Sequence, residues 1–118
     1  MIFLVLPSEL DLTMILILWR FTAKSDSVDT FAQMYDSSGP WVDIFRRYHG
    51  YLGTELHRSV DDVRVFMTID RWEDRWSYET FLANHDPEYT ALDKRCQELT
   101  ESEDFVGLYE NVTAVPGE

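Results

Sequence analysis

The three histidines of the chain are its first candidates for acid–base chemistry, because imidazole titrates close to neutral pH. His57 follows Glu55 at a spacing of two in a predicted strand, so both side chains point to one face. His57 is therefore an acid or base inside a ligand pocket, a structural histidine, or a residue at a subunit interface. A metal site would need a third ligand that the sequence does not offer, and no metal is predicted. His85 precedes Asp86-Pro87 and either belongs to a polar turn or lines the mouth of a pocket.

The chain also carries four tryptophans in 118 residues, a high number for a side chain whose N–H needs a partner. Trp19, Trp41 and Trp72 are predicted to line one aromatic-walled cavity suited to a flat ligand, the alternative being that they are ordinary core residues. Cys96 lies in an apolar helical stripe without an activating neighbour, which indicates a core thiol. Nucleotide-binding, metalloprotease, serine-hydrolase and paired-cysteine motifs are all missing from the sequence, so no cofactor is expected.

Apolar spacing predicts the elements that would position these side chains. The pattern predicts strands over residues 14–23, 51–59, 63–72 and 104–112. Helical spacing predicts helices over 28–35 and 40–48, then a helix after residue 74 that restarts at Asp86-Pro87. The order strand, helix, strand, strand, helix, strand is typical of a ferredoxin-like α+β fold, with a four-stranded antiparallel sheet and helices on one face.

The first predicted strand is apolar on both of its faces. Ile15, Ile17, Trp19 and Phe21 alternate with Met14, Leu16 and Leu18, and residues 63–69 repeat this two-sided pattern. Helices can cover only one face of the sheet, and monomers rarely leave several hundred Å2 of apolar surface open to water. The sequence therefore predicts a homodimer in which two copies pack sheet to sheet.

Charge and composition restrict the partners. Ten Lys and Arg against 22 Asp and Glu give a formal net charge of -12, which disfavours nucleic acid and anionic membranes as partners. The acidic residues Glu98, Glu101, Glu103 and Asp104 are expected to form a solvated face. One cysteine and the lack of a secretion signal or long apolar run predict a cytoplasmic protein. Residues 14–112 are predicted to form the domain, with an extension over 1–13 and a tail over 113–118.

Several stretches resemble the antibiotic biosynthesis monooxygenase family. They are residues 50–56 (GYLGTEL), 68–74 (TIDRWED) and 89–93 (YTALD), together with Tyr78 and Phe81, and the similarity spans about residues 14–112. The resemblance implies a dimeric α+β barrel with a small-molecule pocket between helices and sheet. The superfamily includes cofactor-free oxygenases of aromatic polyketides, haem-degrading enzymes and isomerases of small metabolites.

The resemblance separates these activities by residue. Trp19, Phe81 and Leu92 stand where haem-degrading relatives carry Asn, Trp and His, so haem degradation is not expected. Trp72 and Tyr78 match the oxygenase branch by position, whereas Thr68 stands where that branch carries an Asn, and no Arg is clearly placed.

The resemblance thus implies a cofactor-independent monooxygenase acting on an aromatic or hydrophobic metabolite. Trp72 and Tyr78 would orient the substrate and His57 would be its base. Trp19, Trp41, Thr68, Phe81 and His85 would line the pocket. The alternatives are a non-catalytic binding or stress-response protein and a small-metabolite isomerase. An enzyme should hold a cavity of ~300 Å3 or more that reaches solvent and contains a polar group.

Overall fold

The computed structural model describes residues 13–112. They form, in order, β1 (Ile15–Ala23), α1 (Val28–Tyr35), α2 (Pro40–Phe45), β2 (Tyr51–Arg58), β3 (Val65–Trp72), α3 (Arg75–Asn84), α4 (Pro87–Cys96) and β4 (Thr100–Glu110). A short 3-10 helix, Gln97–Leu99, joins α4 to β4. The predicted N-terminal extension, apart from Thr13, and the predicted tail lie outside the described residues.

The four strands form one antiparallel sheet in the order β2-β3-β1-β4. This order and the helices packed on one side confirm the predicted ferredoxin-like α+β fold. β1 lies between β3 and β4, which explains why a strand this rich in β-branched and aromatic residues is apolar on both faces. Ile17 and Phe21 are buried toward the helices.

Some element boundaries differ from the prediction. β4 begins at Thr100 and not at residue 104, because its acidic first residues pair with β1 through their backbone. α2 ends at Phe45, three residues before the predicted end, and β3 begins at Val65. Backbone hydrogen bonds can hold polar residues in a strand, so a pattern of hydrophobic residues does not reveal where such a strand begins.

Two aspartates begin the helices of the second half. The Asp74 side chain accepts a 2.7 Å hydrogen bond from the backbone N–H of Ser77, and Asp86 accepts one of 2.8 Å from Glu88. Pro87 follows at the first helical position, where its missing N–H costs nothing. The predicted restart at Asp86-Pro87 is confirmed.

Aromatic rings form most of the core between helices and sheet. The ring of Phe31 stacks on Tyr35 with centroids 4.1 Å apart and lies 4.8 Å from Phe66. Trp72 is 1% exposed, and Cys96 is buried beside these rings, as predicted for a core thiol. Within residues 13–112 no helix combines the length and the apolar content needed to cross a bilayer.

Candidate functional site

A cavity of about 190 Å3, partly open to solvent, lies between the helices and the side of the sheet that they cover. It is smaller than the ~300 Å3 expected of an enzyme pocket, but it reaches solvent and contains polar groups. Engineered apolar cavities of about 150 Å3 bind benzene. This cavity therefore has room for an aromatic ring, and a larger fused ligand would extend through its mouth.

Six of the predicted site residues line this cavity together. They are Trp19, Trp41, Thr68, Trp72, Tyr78 and Phe81. Backbone register places Trp19 directly opposite Thr68, so β1 and β3 present them to the same side. The ring of Trp72 lies 5.9 Å from that of Tyr78 and 5.3 Å from that of Phe81. The aromatic wall expected from the sequence is present.

His57 does not line the cavity, which corrects its predicted position inside the pocket. A bulge in β2 separates the pairs Tyr51–Trp72 and Gly53–Arg71 and reverses the side-chain alternation after Tyr51. Thr54 consequently lies on the cavity side of the sheet, and His57 lies on the opposite face, across from Met67. There its imidazole is 2.8 Å from the carboxylate of Glu55, which also pairs with Arg71.

His85 does not line the cavity either. It is exposed and ends α3 in the left-handed backbone region, with φ of 52°, and its N–H bonds to the carbonyl of Leu82 at 3.3 Å. A helix end of this kind is a structural position, so the polar-turn interpretation describes this residue.

Asp70 is one titratable group that the strand register brings into the cavity. The hydroxyl of Thr54 donates to its carboxylate at 2.6 Å, and the phenol of Tyr51 is 2.6 Å from the same hydroxyl. Burial raises the pKa of Asp70 to about 6, although the Thr54 hydrogen bond lowers it in part. Among residues 13–112 no basic side chain forms a salt bridge with it. A carboxylate with this pKa is a suitable general base near neutral pH.

Two further carboxylates, those of Asp93 on α4 and Glu103 on β4, also line the cavity. Burial raises the pKa of Glu103, and the nearby charge of Asp93 raises it further. The expectation that Glu103 belongs to a solvated face is wrong, because it lies opposite Phe21 on the covered side of the sheet. In the described part of the chain, no Lys, Arg or His lines the cavity. No three metal-ligating side chains converge anywhere within residues 13–112.

The family comparison agrees with this architecture. The family model of the antibiotic biosynthesis monooxygenases matches residues 14–95, more than half of the chain. The chain belongs to the antibiotic biosynthesis monooxygenase family. A search of curated proteins finds no match.

Solved structures of similar fold cover nearly the whole domain. A variant of SnoaB, a cofactor-independent oxygenase from Streptomyces nogalater, superposes with a TM-score of 0.73 at 19% identity, over 88% of this chain and 98% of that one. A conserved protein from Methanosarcina mazei superposes with a TM-score of 0.64 at 11% identity, over 85% of this chain and 94% of that one. A protein from Pseudomonas aeruginosa superposes with a TM-score of 0.63 at 14% identity, over 86% of this chain and 96% of that one. Identities this low establish the shared fold of the family and no more.

The sequence prediction did not identify any of the three carboxylates that the described residues contribute to the cavity. Asp70 lies between Thr68 and Trp72 at a spacing of two, so strand alternation already places it on their face. The available signal was a carboxylate on the same face of the strand as two residues that were predicted to line the pocket. Glu103 and Asp93 carried no such signal, because they come together only when β4 pairs with β1 beneath α4.

Proposed function

We propose that this protein binds an aromatic or hydrophobic metabolite in its cavity and oxygenates it without a cofactor. The observation that supports this most is a partly buried carboxylate, Asp70, with a raised pKa beside the aromatic walls of the cavity. SnoaB, which shares the fold, is described as a cofactor-independent oxygenase. Membership of the same family makes this the activity to test first.

Asp70 takes the role of general base in this proposal, in place of His57. Oxygenation without a cofactor requires an electron-rich substrate, and removal of a proton from an acidic C–H produces one. Asp70 would accept that proton, and the carbanion would pass its electrons to O2 and form a C–O bond. The peroxide anion would take the proton back from Asp70 and become a hydroperoxide. For a methylene substrate, the hydroperoxide then loses water and leaves a carbonyl group, so that each turnover consumes one O2 and releases one water.

Trp72 and Tyr78 would orient the substrate. Trp72 shares the cavity face of β3 with Asp70, and Tyr78 lines the same cavity, where the charge of Asp70 acts on its phenol. Burial raises the pKa of Tyr78 as well, so its phenol stays protonated and can donate a hydrogen bond to a developing oxyanion.

The decisive experiment measures oxygen uptake with anthrone and smaller hydroxylated aromatics. Asp70→Asn should reduce turnover by about 100-fold or more, since general bases typically contribute 10²–10⁴ in rate. In the wild type, kcat/KM should rise with pH through about 6 as Asp70 ionises. Asp61→Asn is the matched control, because it removes the same charge from an exposed residue outside the cavity.

Equal turnover in Asp70→Asn and the wild type would remove Asp70 from the mechanism. Saturable binding of these aromatics without any oxygen uptake would favour the alternative of a non-catalytic binding protein.

We further propose that the protein works as a homodimer. The face of the sheet away from the helices carries Leu16, Leu18, Val65, Met67 and Ile69, all only partly buried within one subunit. A second copy laid on this face would remove their apolar surface from water. Leu18→Lys should convert a dimer to a monomer by native mass spectrometry, while Val60→Lys, at a residue 98% exposed, should not. A wild-type monomer would refute the proposal.

A further inference from the structure

The charge of the cavity indicates which aromatic molecules it accepts. Among residues 13–112, the side chains that line it include three carboxylates, of Asp70, Asp93 and Glu103, and no basic group. Burial raises the pKa of Tyr35 and of Tyr89, and the charges of Asp93 and Glu103 raise both pKa values further. An anionic ligand would therefore meet like charge in every part of this cavity.

The carboxylates occupy two separate places. Asp70 lies opposite Ile17 of β1, and Glu103 lies opposite Phe21, four residues farther along the same strand. Four residues of strand span roughly 13 Å, and two strand spacings add about 10 Å across the sheet, so the two Cα atoms are ~16 Å apart. The base proposed above is thus at one end of the cavity, and Glu103 with Asp93 is at the other.

The second end has the chemistry of a cation site. The charge of Asp93 acts on the carboxylate of Glu103, and neither residue forms a salt bridge with a basic side chain within residues 13–112. Within the described residues, Glu103 accepts a 3.4 Å hydrogen bond from the Thr100 hydroxyl, and Asp93 accepts one of 3.2 Å from the side-chain amide of Gln97.

Aromatic rings line the cavity together with this pair of carboxylates. Tyr35, Trp41 and Tyr89 line the same cavity, with ring centroids 5.6 Å apart for Tyr35 and Trp41 and 5.2 Å apart for Trp41 and Tyr89. Aromatic faces attract ammonium groups, most strongly where water is excluded. The indole N–H of Trp41, which is 8% exposed, is also buried without a hydrogen-bond partner in the described part of the chain. Buried donors of this kind are normally satisfied, so an oxygen acceptor on the body of a ligand, and not its ammonium group, would complete the hydrogen bonding of Trp41.

We infer that the cavity selects aromatic ligands that carry a protonated amine, with the ammonium group between Asp93, Glu103 and the surrounding rings. The aromatic body of the ligand then extends toward Trp72 and Asp70. This inference rests on the proposed function, since it assigns the substrate class of the same cavity.

The test compares three probes that share a naphthalene ring with a one-carbon polar substituent and carry a positive, no, or a negative charge, namely 1-naphthylmethylamine, 1-naphthalenemethanol and 1-naphthoic acid. Binding is followed by quenching of tryptophan fluorescence and by calorimetry at pH 7. The amine should bind at least 10-fold more tightly than the alcohol, and the acid more weakly than either. Glu103→Gln and, separately, Asp93→Asn should reduce the advantage of the amine several-fold and leave the affinity for the alcohol unchanged. Glu98→Gln, an exposed residue outside the cavity, is the control.

Equal affinity for amine and alcohol would overturn the inference, and so would an equal loss in Glu98→Gln. Circular dichroism checks that each variant is folded, and Glu103→Lys adds an opposite readout, because it should make 1-naphthoic acid the preferred probe. The oxygenase proposal is judged separately by oxygen uptake. An amine preference without uptake would support the ligand class and refute the oxygenase, whereas uptake without an amine preference would do the reverse.

Discussion

Replacing Asp70 by Asn should stabilise the protein at neutral pH, because desolvation of the ionised Asp70 carboxylate destabilises the folded state. The pKa of Asp70 rises from its ordinary 3.8 to about 6 in the folded state, mainly through burial. At 1.36 kcal/mol per pKa unit this costs about 3 kcal/mol once the group is ionised in both states. The side-chain NH2 group of Asn would lack a hydrogen-bond partner, which reduces this gain in folding stability by about 1 kcal/mol. The net gain at pH 7.5 is about 2 kcal/mol.

The sign of the pH dependence follows from the raised pKa. The folded state binds the proton more tightly, so the cost is absent below about pH 4 and complete above about pH 6. About 2 kcal/mol of it develops between pH 4.5 and pH 7.5. At pH 4.5 the remaining cost of about 1 kcal/mol in the wild type equals the cost of the unpaired amide in Asp70→Asn, so the two proteins should be about equally stable. At pH 7.5 Asp70→Asn should be more stable than the wild type by about 2 kcal/mol.

Urea unfolding of both proteins at the two pH values measures this difference directly, and taking the difference cancels most of the titration of the other carboxylates. Thermal unfolding at pH 7.5 should show an increase in Tm of about 8 °C. Asp61→Asn should change stability by less than about 0.5 kcal/mol. An Asp70→Asn variant that is less stable at pH 7.5, or equally advantaged at both pH values, would show that Asp70 is not a destabilised carboxylate.

Three other substitutions test the surroundings of the site. Gly50→Ala should cost about 2 kcal/mol or more in urea unfolding, because φ is +91° there and an added Cβ would lie 2.4 Å from Ser77; unchanged stability would contradict this backbone geometry. Phe31→Ala should cost about 3–5 kcal/mol in the same assay, because the ring is fully buried, and a loss below 1 kcal/mol would count against the described core. Thr54→Val should raise the pKa of Asp70 measured by carboxyl NMR, because the hydroxyl stabilises the ionised form; a lower pKa would show that the hydrogen bond does not form.

Strand periodicity carried most of the prediction of the fold and of the aromatic wall. Alternation in β1 and β3 is local, so the shared face of Ile17, Trp19 and Phe21 follows from the order of the residues, as does the position of Thr68 and Trp72. The predicted helices formed where the spacing indicated, although their ends moved by a few residues. These features are readable because each depends on neighbours within a few positions along the chain.

The position of His57 could not be read in this way. Alternation counted from Tyr51 placed it on the cavity side, but one extra residue at the bulge in β2 reverses every later side chain of that strand. A bulge arises from pairing with a neighbouring strand, and pairing is not visible in the strand itself.

The sequence by itself determined the elements, their order, the two-sided strand and the aromatic residues of the cavity, since these depend on local spacing. Only the tertiary structure decided which charges enter the cavity. Burial gives Asp70 its raised pKa, and the pairing of β4 with β1 beneath α4 brings Glu103 to Asp93. Desolvation and charge proximity are properties of the packed chain, so the acid–base and charge character of the site emerged only on folding.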